Sequence, residues 1–315
     1  MLTFTVRRAL QMIPVAFGVT LATFLLGQII PGDQAAALLG PSSSEQERQA
    51  LREEMGLNEP VLTQYVTYLG NLFTGDLGRS LSFGRPVMSV LAERIANTVL
   101  LSGTAIVVAA LLGVAIGTWA AMKPGSVRDR GLTVGVLFFN SIPSFWFGLV
   151  LIMTFSLGLR LLPATGMTSI GGGGVVDVVA HMVLPVITLA AWSLAVIARM
   201  TRSAVLEVIG NDYVRTARSR GVGEMRVVVR HVLPNALPSV VTVIGLQAGF
   251  LLSGAVLTET VFSWPGIGLA LYQAISTRDI PLIQGGILLI AIGFVLINFL
   301  VDTLQAYFNP KIKLA

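Results

Sequence analysis

The chain of 315 residues has no cysteine, which removes disulfides, thiolate metal sites and a cysteine nucleophile from consideration. Histidine is nearly absent too, with two residues, and charged residues make up only 12% of the chain. Within its apolar spans the chain has no HExxH run and no carboxylate pair, so no intramembrane catalytic site is written there. The four glycines Gly171–Gly174 follow no strand and precede no Lys-Ser or Lys-Thr, and read as a flexible outer loop and not as a phosphate-binding loop. Low-complexity tracts and inverted internal repeats of the secondary-transporter kind are also missing.

What is present is apolar surface. With 54% hydrophobic residues and a mean hydropathy of +0.80, the chain carries more than one soluble core could hide. Six runs match the roughly 20 apolar residues that a spanning helix needs: 9–30, 97–121, 131–159, 178–198, 235–258 and 281–301. Arg7 and Arg8 before the first run, with small residues at Ala35–Ala37, have the outline of a signal peptide. The run's length and the five that follow favour an uncleaved first helix. The expected fold is therefore all-α and polytopic, with six transmembrane helices.

Charge sets the expected orientation. Fourteen of the 21 Lys and Arg residues fall at Arg7–Arg8, between spans two and three, between spans four and five, and at Lys311 and Lys313. Positive loops face the cytoplasm, so both termini are expected there. The pI near 10.0 then reflects topology and calls for no nucleic-acid partner. The opposite side is richer in acids, among them Asp33, Glu45, Glu47, Glu93, Asp177, Glu259 and Asp279.

Three regions follow: residues 1–30 as N-terminus and first span, 31–96 as an extracytoplasmic helical segment, and 97–315 as a five-helix core with a cytoplasmic loop at 199–234. In the outer segment, Ser43 or Ser44 is placed to cap a helix that starts with Glu45 and Glu47, and Gly56 to stop it before Pro60. Gly113 with Gly117, and Gly245 with Gly249, give the small-xxx-small spacing that lets helices approach closely.

Proton relays and intramembrane catalysts need ionisable groups within the bilayer. Only His181 falls inside a span, near its outer end, where an interfacial hydrogen bond explains it as well as chemistry would. The polar residues within spans are uncharged: Asn97, Asn140, Ser141, Ser144, Gln247, Ser253 and Asn298. Each either lines a hydrated path or bonds between helices. Asn140, Ser141 and Ser144 are the best path candidates, because Pro143 frees a backbone carbonyl beside them, and Gln247 is the fourth.

The loop between spans four and five holds Arg215, Arg218, Arg220, Arg226 and Arg230 within twenty residues. Topology explains the charge. It does not explain the punctuation: "NDYVRTARSRG" reads as a short helix capped by Asn211 or Asp212 and ended by Gly221 in a left-handed turn. "GEMRVVVRHVLP" reads as a second, with Gly223 and Glu224 at its start, Val227, Val228 and Val229 inward, and Pro234 at the turn into span five. Tyr213, Ala217 and Arg220 share one face of the first helix, and so short a helix needs something to dock against.

This spacing resembles the "EAA" signature of ABC importer permeases: three residues, a glycine after three more, then nine before I-x-L-P. Here Arg215-Thr216-Ala217, Gly221 and His231-Val232-Leu233-Pro234 stand in those places, with Arg215 where the signature has Glu and His231 where it has Ile. The "RTA" core, "GLNEPVLTQYVTYLGNLFTGDLGRS", "SIPSFWFGLVLI" and "ETVFSWPGIGLALYQAISTRDIPLIQG" are similar, in this order, to B-type permease subunits of dipeptide, oligopeptide or nickel importers.

The resemblance implies a type I importer permease fold in a bacterial or archaeal cytoplasmic membrane. It implies a second homologous permease, two ABC ATPase domains and an extracytoplasmic solute-binding protein as partners, with ATP used by the ATPases and no cofactor or metal in this chain. Tyr213, Arg215, Thr216, Ala217, Arg218, Arg220 and Gly221, in the 211–221 helix, would couple to the ATPase. Glu259, Trp264, Pro265 and Gly266 would form part of an outer gate, or else an interfacial turn with a Trp anchor. Such a permease is not itself an enzyme. Short peptides are the expected cargo, nickel chelates or another small solute the nearest alternative, and a passive channel or scaffold without ATPase the alternative of another class.

Overall fold

The computed structural model describes residues 2–29, 43–54 and 56–308, together with Ala35 and Leu39. Asp33, Ala36, Ala37, Lys311 and Lys313 lie outside the described residues. In chain order the helices are α1 (Leu2–Ile29), α2 (Glu45–Glu54), α3 (Val61–Thr74), α4 (Val87–Ala121), α5 (Val127–Ser141), α6 (Ser144–Leu151), α7 (Val175–Ile209), α8 (Asp212–Ser219), α9 (Glu224–Val227), α10 (Leu233–Val261), α11 (Ile267–Thr277) and α12 (Ile280–Phe308). π-Helical turns extend α6 over Ile152–Gly158 and join α9 to α10 over Val228–Val232. Extended pairing among the described residues is one isolated bridge, Arg79 with Pro86.

Five stretches are continuous, long and apolar enough to cross a bilayer: Leu10–Ile29, Val87–Ala121, Val175–Ile209, Glu224–Val261 and Ile280–Thr303. The expected third span, 131–159, is instead two helices, α5 and α6, bent by 102°. The cause is local. Pro143 has no N–H to donate, and its ring bars the helical conformation from the residue before it, so Ile142 lies extended at φ −98°, ψ 128°. Pro185, by contrast, is carried inside α7 without a break.

Pro234 also departs from expectation, since the chain does not turn there. A proline at this position cannot donate to the carbonyl four residues back, and the π turn over Val228–Val232 widens the helix just ahead of it. Glu224–Val261 therefore runs on as one stretch.

The chain packs as two compact units. The first draws on Val99–Trp264 and on the chain ends up to Arg8 and from Phe294, the second on Ala9–Thr98 and Pro265–Gly293.

The first unit is centred on α4, α7 and α10, which bury Leu101, Ala105, Met182, Val186, Leu189, Ile197, Leu251 and Trp264 in one cluster. In lipid, close packing and not water exclusion drives helices together, so small residues matter. A Cβ on Gly113 would fall 2.8 Å from Ile197 Cγ2, and one on Gly117 would fall on the Ala198 carbonyl oxygen. On α10, a Cβ on Gly249 would fall 2.8 Å from Phe294, and one on Gly245 would strike Val301. Both glycine pairs thus mark helix crossings.

The second unit holds α2, α3 and α11. The α2 helix begins in a capping box: Ser44 N–H donates to Glu47 Oε2 at 2.7 Å, and Glu47 N–H to Ser44 Oγ at 3.2 Å. It ends at Gly56, φ +67°, where Leu57 N–H returns to the Arg52 carbonyl at 2.9 Å. Tyr65 of α3 is buried against Phe24 of α1 and shares a 3.0 Å hydrogen bond with Thr20. Asn97 donates to the Pro265 carbonyl and Ile267 N–H to Thr98 Oγ1, each at 2.9 Å, which fastens the start of α11. Asp279, fully buried, accepts from Ser80 Oγ at 2.5 Å, Ser82 N–H at 2.9 Å and Leu282 N–H at 3.3 Å, and so caps α12 while holding the 80–82 loop.

Candidate functional site

Eight residues make α8, too few for a helix to persist alone. Burial holds it: Val214 and Ala217, three apart on one face, enter a cluster with Ala121, Val205, Val227, Val232 and Ala236. Asn211 precedes the helix in an extended conformation but makes no side-chain capping bond, and Thr216 Oγ1 instead returns to the Asp212 carbonyl at 2.9 Å.

The stop is the expected one. Gly221 has φ +77°; its N–H donates to the Arg218 carbonyl at 2.9 Å, and Val222 N–H to the Ala217 carbonyl at 3.3 Å. This is the Schellman pattern, and Val222 packs back on the Ala217 cluster as that pattern favours. Across the turn, Arg218 Nε and Nη2 donate to the two Glu224 oxygens at 3.0 and 2.6 Å. Glu224 opens α9, so the pair ties two short helices into one element.

Burial redistributes the expected docking face. Ala217 is turned into its own chain, buried with Val214 in this cluster, so it adds nothing to an exposed surface with Tyr213 and Arg220. Tyr213, Arg215, Thr216, Ser219 and Arg220 are exposed. The Arg215 side chain is 74% exposed, with only a 3.7 Å approach to Asp212. Val227 and Val228 are buried as expected, but Val229 is 56% exposed.

Asn140, Ser141 and Ser144 come together at the bend between α5 and α6, all three exposed in this chain. Ser141 Oγ donates to the Leu137 carbonyl at 2.8 Å. Gln247 does not join them. It is buried, and its Oε1 accepts from Ser193 Oγ of α7 at 3.0 Å, the interhelical bond that an amide in lipid seeks.

Trp264 is not an interfacial anchor: its side chain is wholly buried in the core of the first unit. The turn is built by Ser263 at φ +49°, with Trp264 N–H donating to the Glu259 carbonyl at 2.8 Å; Glu259 is also buried. Pro265 and Gly266 follow as the lead into α11, where Gly266 is extended at φ −102°, ψ −172°. His181 is buried, with Nδ1 2.9 Å from the Asp177 carbonyl. A carbonyl only accepts, so that nitrogen carries the proton. No cluster of three metal-ligating side chains occurs among the described residues.

Residues 113–314 match the family described as binding-protein-dependent transport system inner membrane component, and residues 1–102 the N-terminal region of such membrane components. The chain belongs to this family. It is 45% identical to the di/tripeptide transport system permease protein DppB of Pseudomonas aeruginosa and 43% identical to the dipeptide transport system permease protein DppB of Escherichia coli K12, over 99% of each chain. The glutathione transport system permease protein GsiC of Escherichia coli K12 is 40% identical over the same share. Among solved structures, the MetNI methionine ABC transporter, inward facing, covers 70% of this chain and 97% of its own with TM-score 0.58 and 20% identity, a likeness of fold.

This permease is accordingly a multi-pass inner membrane protein with the importer permease fold. Two of its polar contacts had no signal in the sequence. Arg218 and Glu224 read separately as a topology charge and a helix start. Asp129 and Arg202, 73 residues apart, meet in a part-buried ion pair that no local pattern announces.

Proposed function

We propose that this permease imports short peptides as one of two membrane subunits, and that α8 couples it to a cytoplasmic ATPase. Full-length identity of 43–45% to permeases named for dipeptides and di/tripeptides supports the cargo, and the glutathione relative also handles a small peptide. The observation that carries the coupling role is the exposed, cationic outer face of α8, Tyr213, Arg215 and Arg220, on a helix whose inner face is fastened to α7 and α10.

In this reading the permease performs no bond chemistry and needs no cofactor, and ATP is bound and hydrolysed by separate subunits. Closure of two ATPase domains displaces α8. The Arg218–Glu224 tie and the valine cluster oblige α9, α7 and α10 to follow, and the pathway alternates between outer and inner openings. Asn140, Ser141 and Ser144 face the path at the α5–α6 bend. The 31–96 segment, with α2 and α3, stands outside as a platform for a solute-binding protein. Both termini are cytoplasmic, and the second permease completes the path.

The test is purification of the tagged permease with its neighbouring gene products, followed by ATP hydrolysis and uptake of a labelled dipeptide in proteoliposomes. Uptake that depends on ATP and on a binding protein is expected. A permease that purifies without any ATPase, and passes solute passively, would sink the reading in favour of a channel.

A further inference from the structure

Asp129 belongs neither to the docking helix nor to the α5–α6 bend, yet it lies on the α5 helix that leads to that bend. It sits in the first turn of α5 with 6% of its surface exposed. Oδ1 accepts from Arg202 Nε, and Oδ2 accepts from Arg202 Nη2 and from Gly125 N–H, each at 2.9 Å. Two parallel bonds from one guanidinium fix both distance and angle, which a single contact would not. The third ties the pair to the turn that joins α4 to α5, where Gly125 has φ +74°.

The same spot is closed on its other side. Gly117 of α4 has no room for a side chain against the Ala198 carbonyl, and a Cβ there would lie 2.8 Å from Thr201 Cβ, one residue before Arg202. Three helices, α4, α5 and α7, are thus locked within about one helical turn. Close-packed elements of this kind shift together or not at all.

The two ends of the lock lead to different places. From Arg202, α7 continues for two turns to Ile209 and directly into α8. From Asp129, α5 runs twelve residues, about 18 Å at 1.5 Å per residue, to Ser141 and the 102° bend.

We propose that Asp129 and Arg202 are positioning residues that carry displacement of α8 into α5, so that the Asn140–Ser144 bend moves with the ATPase cycle. The inference rests on the docking role proposed above for α8. A two-point ion pair with its guanidinium partly in solvent adds little to net stability, but it fixes geometry, and that is the property transmission requires.

The experiment uses the complete transport complex in proteoliposomes, with two cysteine reporters in this cysteine-free chain. Ser219→Cys, cross-linked to the ATPase, reports docking; Ser141→Cys, labelled with a membrane-impermeant maleimide with and without vanadate-trapped nucleotide, reports the bend. With Asp129 intact, labelling at position 141 should differ between the two nucleotide states. Asp129→Asn keeps the shape and the Gly125 acceptor, and should retain the Ser219 cross-link while losing that difference.

Arg202→Lys, which keeps charge but not the fork, should lose most of it too, and serves if Asp129→Asn fails to assemble. A role in stability alone would lower abundance and leave the nucleotide-dependent difference in place. A difference unchanged in either assembled variant overturns the proposal. Absence of the Ser219 cross-link in the otherwise unaltered complex refutes the docking role itself, and is read separately.

Discussion

Arg218 and Glu224 close a two-point ion pair over the Gly221 turn, with Nε and Nη2 at 3.0 and 2.6 Å from the two carboxylate oxygens. Both side chains are more than a third exposed, so solvent screening limits the pair to about 0.2–1 kcal/mol. Its importance is orientation. Arg218→Ala and Glu224→Ala should each weaken ATPase co-purification while membrane abundance stays near normal, and the exchanged pair Arg218→Glu with Glu224→Arg should restore binding in part. Equal loss in the singles and the exchange would mean that Arg218 meets the ATPase directly.

Gly221→Val separates backbone strain from packing. Nothing lies within 4 Å of a Cβ at this position, so no clash arises, but φ +77° is costly for a branched residue, by about 1–2 kcal/mol. The expected result is normal insertion with weakened ATPase co-purification and uptake. Normal co-purification and normal uptake would show that the turn is not needed for docking.

Gly117→Ala should lower the melting temperature of the detergent-solubilised permease, since overpacking of a tight crossing costs about 1–3 kcal/mol. Gly103→Ala, on the same helix with nothing within 4 Å, should be neutral or slightly stabilising. Indistinguishable melting curves for the two would contradict the α4–α7 crossing.

Glu47 supplies a pH dependence outside the membrane. The Ser44 backbone N–H, and then its hydroxyl, hold the Glu47 carboxyl below its ordinary value of 4.5, with weak opposition from desolvation. A depressed folded-state pKa stabilises the folded form above the ordinary value, and that contribution disappears as pH falls through the lower folded value. Hydrogen-exchange protection of α2, corrected for intrinsic rates, should therefore fall in the acid range below 4.5, and Glu47→Gln should flatten the dependence.

Orientation is directly measurable, because the chain has no cysteine to give background labelling. Ser219→Cys should react with an impermeant maleimide only from the cytoplasmic side, and Gln49→Cys on α2 only from the outside. Both positions are exposed. Labelling of the pair from one side would overturn the proposed topology.

Much of this protein was legible from local pattern. Apolar run length located the spans because a bilayer demands it, and Gly56 and Gly221 marked helix ends because only glycine takes a left-handed backbone without strain. Gly113, Gly117, Gly245 and Gly249 announced crossings because backbones approach closely only where side chains are missing. These are properties of single residues and fixed spacings, so they survive without a third dimension.

The tertiary structure decided what depends on partners. Ala217 and Trp264 have the chemistry of a surface contact, yet each is buried because the elements around it close over it. Gln247 is spent on Ser193, 54 residues away. Pro143 marks a place where the helix can break, but the 102° between α5 and α6 is read only from the folded chain. Asp129 and Arg202 find each other across 73 residues because α5 and α7 are laid side by side, and no local spacing encodes that meeting.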